Sequence, residues 1–139
     1  MKRDRIIFWI TTSIIFLWES AMPAFTSNTQ IAIDGIRSLG YPDYFRVWLT
    51  IFKVAGGLIL ILPVFKGRIK EWAYAGFTFD FLFAFISHAA VNGFNPLSFF
   101  PLIVLAILGL SYIFYHRAYG VHAKTVVPSR KAQTNIALA

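Results

Sequence analysis

Four ionisable side chains lie inside or at the edge of long apolar runs: Glu19, Lys53, Asp80 and His88. One such group at the centre of a membrane helix costs roughly 2.5–3.5 kcal/mol, so it faces a bundle interior or pairs with an opposite charge. Glu19, Lys53 and Asp80, all ionised, sum to one negative charge. In a low-dielectric interior, either one carboxyl keeps its proton or a neighbouring cation such as His88 or Arg46 compensates. A lysine–carboxylate pair with a second, protonatable carboxyl suits proton handling or the head of a polar ligand. The same three groups also suit a structural clamp that fixes helix register. None of them can be singled out as catalytic from sequence.

Other chemistries lack their residues. There is no cysteine, which excludes disulfides, Cys-ligated zinc, iron–sulfur clusters and a CxxC redox centre within the chain. A haem held between helices needs two axial ligands at one depth, whereas His88 sits near one end of its apolar run and His116 and His122 lie at or beyond the opposite side. Zinc fails for the same reason, so no metal site is expected. No GxGxxG, P-loop or Ser–His–Asp spacing is present.

The elements that must position these side chains follow from composition. Hydrophobic residues make up 58% of the 139 and charged residues 14%, against roughly 45–50% and about 25% in ordinary globular domains. A soluble core of this length cannot hide so much apolar surface. A spanning helix needs about 20 apolar residues, and four runs qualify, over residues 6–25, 44–62, 72–91 and 97–115. Pro63 stops the second, and Asn95-Pro96 supplies a cap and first helical residue for the fourth. The fold expected is an all-α integral membrane four-helix bundle.

Basic residues then set direction. Lys2, Arg3 and Arg5, then Lys66, Arg68 and Lys70, then Arg117, Lys124, Arg130 and Lys131 all fall on one side of four spans. Both termini are therefore expected in the cytoplasm, with residues 118–139 a flexible, basic, solvated tail. The net charge of +7 is juxtamembrane and forms no continuous basic face, so nucleic acid is not an expected partner. A signal peptide ending near Ser20-Ala21-Met22-Pro23-Ala24 is the rival reading of the N-terminus; Glu19 within the run and Pro23 at the cleavage position count against it. Between the first two spans, Ile31, Ile33, Ile36 and Leu39 predict a short helix on the outer membrane surface.

With this direction, Asp80 lies roughly 12 Å from the cytoplasmic side, Lys53 roughly 13 Å and Glu19 roughly 9 Å from the outer side, all at 1.5 Å per residue. They can meet in the middle-to-outer part of one bundle, with His88 above them. Arg46, Thr50, Lys53 and Gly57 form one stripe, Gly76, Asp80 and Ser87 a second, and Thr12 and Glu19 a third. Trp9, Trp18, Trp48 and Trp72 suit packing or interfacial anchoring.

Gly40-Tyr41-Pro42, Lys53, Gly56-Gly57, the stretch KEWAYAGFTFDF from Lys70, and Ser87-His88 together resemble the DoxX-like family over roughly residues 6–115. The matched motif positions are Lys53, Glu71, Trp72, Gly76, Asp80, Ser87 and His88. The resemblance implies a multi-pass protein of the bacterial inner (plasma) membrane. It also implies a link to quinone-dependent membrane oxidoreduction, since the wider group is named for a subunit associated with thiosulfate:quinone oxidoreduction. It transfers no catalytic set, and whether the chain is an enzyme stays open.

Two functions compete. One is an accessory subunit of a quinone-linked oxidoreductase, with quinone as the ligand and an oxidoreductase subunit or a second copy of the chain as partner beside the lipid bilayer. The other is a non-enzymatic bundle that binds a lipid or small apolar ligand or scaffolds a partner. Small-solute transport is a third, for which four helices are few.

Overall fold

The computed structural model describes residues 1–120; the expected basic tail, with His122, lies outside the described residues from Val121 onward. Every element among the described residues is helical, and four helices are long and apolar enough to cross a membrane. The first span is a rod over Lys2–Thr26, the second Asp43–Ile61, the third Arg68–Asn92 and the fourth Pro96–Tyr119. The chain is an all-α membrane bundle, as its hydropathy requires.

Local chemistry explains the punctuation. Pro63, which lacks an N–H, follows two residues after the second helix ends. Asn95 caps the fourth helix, its Oδ1 accepting from the Ser98 amide at 3.0 Å, and Pro96 takes the first helical position where no donor is needed. The tight turn before it depends on Gly93, whose φ of 74° lies in the left-handed region. Three helices exceed the expected apolar runs because charged residues extend them into the interface, the fourth passing through His116 and Arg117 to Tyr119, past the expected start of the tail at residue 118. The first begins at Lys2 and the third at Arg68, which brings Lys70 into the helix rather than leaving it in a loop.

The short helix expected between the first two spans forms over Gln30–Ser38 (hereafter the surface helix). Thr29 caps it and Gly40, at φ 87°, turns the chain out of it. Arg37 forks onto Asp43 with bonds of 2.8 and 2.6 Å, which holds its guanidinium above its ordinary pKa, and so ties this helix to the start of the second span. Arg46 adds a second tie, donating to the Ser27 carbonyl and to Asn28 Oδ1.

The spans close into a ring in which each touches its sequence neighbours and the first packs along the fourth. Phe8, Ile15, Phe77, Phe81, Val104 and Leu108 fill the centre. Lipid tails are as apolar as these side chains, so burial alone does not hold membrane helices together; close packing and interhelical hydrogen bonds do. One such layer joins three spans: Ser111 Oγ lies 2.7 Å from Thr12 Oγ1 and 2.8 Å from the Tyr74 hydroxyl, all buried.

Candidate functional site

The first span is not a uniform α-helix. Residues Leu17–Ala21 form a π-turn between α-helical segments Lys2–Phe16 and Met22–Thr26. Pro23 cannot donate to the carbonyl of Glu19, four residues before it, so the ordinary ladder is interrupted there in any case. π-turns are rare and concentrate at functional positions. Here the turn carries two buried polar residues side by side, Glu19 and Ser20.

Both meet the second span at Lys53. Lys53 Nζ donates to Glu19 Oε2 at 2.7 Å, and Ser20 Oγ donates to the Lys53 carbonyl at 2.6 Å. The approach is close because Gly57, one turn on, has no side chain: a Cβ there would collide with Ser20 and press on Phe16. From the third span Asp80 reaches the same ammonium, its Oδ2 3.1 Å from Nζ. That contact is an ion pair without hydrogen-bond alignment, and Oδ2 is buried with no other donor. Glu19 is therefore the better satisfied carboxylate and Asp80 the less satisfied. The side chains are 10%, 19% and 16% exposed for Glu19, Lys53 and Asp80, so one buried cation links three spans.

Of the four residues singled out by sequence, three come together. His88 does not join them. Its Nδ1 lies 3.5 Å from Asn92 Nδ2, on the third span's last turns. Arg46 is engaged by Ser27 and Asn28, so neither cation offered by sequence to balance the triad contacts it. Ser87 bonds the Tyr41 hydroxyl at 2.6 Å, fastening the segment after the surface helix over the third span.

Two members of the triad, Lys53 and Asp80, line a lateral cleft. The second and third spans diverge to leave a cavity of about 750 Å³, into which Lys53 and Asp80 project. Apart from these and Tyr41, its lining is apolar or aromatic: Phe45, Phe52, Trp72, Phe77, Phe79 and Phe83 dominate, together with Gly56 and Gly76. Phe52, Trp72, Phe79 and Phe83 are exposed on the bundle's outer face, where lipid would lie. A site with aromatic walls and a small number of placed polar groups is the ordinary form of a small-molecule pocket, and this volume is within the usual range of roughly 300–1,000 Å³.

The DoxX-like family model matches residues 7–111, which takes in the second and third spans, most of the first and fourth, and every member of the triad. The chain belongs to the DoxX-like family. No curated protein and no solved structure matches it. This DoxX-like bundle thus places Lys53 and Asp80, two of the positions in the resembling motifs, across one cleft from each other, while Glu71 pairs with His116 at 2.8 Å on the far end. Ser20 and the π-turn, which seat Glu19, were not read from the sequence. The pairing of Pro23 with a carboxylate four residues earlier was the available signal.

Proposed function

We propose that this DoxX-like protein binds an apolar molecule with a hydrogen-bonding head, of the quinone class, in the cleft between its second and third spans. In this reading it is an accessory subunit of a quinone-linked oxidoreductase in the bacterial inner membrane, with both termini in the cytoplasm. The observation that carries the reading is the confinement of charge to Lys53 and Asp80 within an otherwise apolar, aromatic cleft. The ammonium has a donor to spare for a quinone carbonyl, and the Asp80 carboxylate lacks an aligned donor and so accepts a quinol hydroxyl. Aromatic walls stack on the ring, and the opening to lipid leaves an isoprenoid tail in the bilayer.

Detergent-purified protein titrated with decylubiquinone, read by quenching of tryptophan fluorescence, tests this. Trp72 lines the cleft and supplies the signal. Saturable quenching is expected, weakened about ten-fold or more in Asp80→Asn, since a hydrogen bond to a charged group contributes about 1.5–3 kcal/mol. Membranes from a strain lacking the chain should also reduce quinone more slowly. No saturable quenching in the wild type would sink the quinone reading. It would favour the scaffold reading instead, which rests on one observation: Lys53 joins three spans.

A further inference from the structure

A second cation is buried at the opposite end of the bundle, and the quinone reading makes no use of it. Lys70 is 3% exposed. Among the described residues no carboxylate pairs with it. Its Nζ donates to the Leu60 carbonyl at 2.7 Å, which caps the last turn of the second span. The other faces of the ammonium see the rings of Phe8 and Tyr115, at 5.4 and 5.2 Å from their centroids. Capping thus occupies one of three N–H donors; the other two have only aromatic faces.

Lys70 forms part of the wall of a cavity of about 660 Å³ that also includes Lys66. Glu71 and His116 also line the cavity, where His116 Nε2 engages the Glu71 carboxylate at 2.8 Å. The remaining wall is largely aromatic, with Trp9, Phe65 and Tyr119. A buried ammonium with one oxygen acceptor and two ring contacts, a second lysine at the same cavity and a largely aromatic wall make a recognisable combination. We infer that this cavity binds the phosphate of an anionic amphiphile, with Lys70 and Lys66 on the phosphate and the aromatic wall along the chain. Such a phosphate reaches the site either in a phospholipid of the bilayer or on a soluble molecule.

The test is native mass spectrometry of the delipidated full-length chain, offered dioleoylphosphatidylglycerol or dioleoylphosphatidylcholine, with and without inorganic phosphate. The phosphatidylglycerol adduct is expected to be retained about five-fold or more over phosphatidylcholine, and Lys66→Gln to reduce that preference by about five-fold, the effect of one basic residue at an anionic lipid. Lys70→Met should abolish the preference; Lys66 is exposed, so its variant keeps the test decisive if Lys70→Met does not fold. Displacement of phosphatidylglycerol by inorganic phosphate supports a soluble source for the group, and retention against it supports the bilayer. Equal retention of the two lipids by the wild type overturns the site, as does a preference that Lys66→Gln leaves unchanged.

Discussion

Lys53 holds two carboxylates on one ammonium, so its removal differs in kind from removal of either partner. Lys53→Met leaves Glu19 and Asp80 facing each other inside an apolar bundle. Breaking a buried ion pair by removing one partner costs about 3–5 kcal/mol, because a charge is left uncompensated. Glu19→Gln keeps a hydrogen-bond acceptor in place and should cost less, about 1–2 kcal/mol. The thermal midpoint in one fixed detergent should therefore fall further for Lys53→Met than for Glu19→Gln. A combined Lys53→Met, Glu19→Gln, Asp80→Asn chain should recover part of the loss, since no unpaired charge remains. If the single lysine variant melts with the wild type, the triad holds nothing together. The three members were legible in the sequence because a charge inside an apolar run is costly wherever it occurs. Lys70 was not, since it lies at the edge of its run, where a lysine ordinarily reaches water; only the third helix's early start at Arg68 brings it inside.

At the scale of elements, the spans could be read from length and hydropathy, and their ends from Pro63, Asn95 and Pro96. The π-turn could not be read from apolar periodicity over residues 6–25, which does not distinguish one residue per turn more or less; only Pro23 marks it. Yet the turn is what sets Glu19 and Ser20 against the second span. Its packing partner is Gly57, and that gives a specific expectation. Gly57→Ala puts a Cβ into the Ser20 side chain at a close crossing, so the spans must part. Overpacking of this kind costs about 1–3 kcal/mol. Gly76→Ala, on the third span, meets nothing within 4 Å and gains helix propensity, so it should be neutral or stabilising by up to about 1 kcal/mol. Thermal midpoints of the two variants check the contrast. Partial rescue of Gly57→Ala by Ser20→Gly would assign the loss to this contact, whereas no rescue would assign it elsewhere in the helix.

For the whole molecule, the arrangement is polarised along the bundle. The triad, the surface helix and its ties to Arg37 and Arg46 belong to one half, and Lys70, Lys66 and the Glu71–His116 pair to the other. Which half faces the cytoplasm is an expectation from basic residues in short loops, a charge rule that packing inside the bundle does not report. The absence of native cysteine makes the question directly measurable. Ser38→Cys places one thiol at the exposed end of the surface helix, and Val64→Cys places one in the exposed turn between the second and third spans. A membrane-impermeant maleimide added to intact bacterial cells should label Ser38→Cys and spare Val64→Cys until the cells are opened. That outcome puts the Lys70 cavity at the inner leaflet, beside its anionic lipids, and the surface helix outside. The reverse pattern would invert the molecule: an anion site would then face the outer leaflet, and the basic turn would have crossed the membrane against its charge.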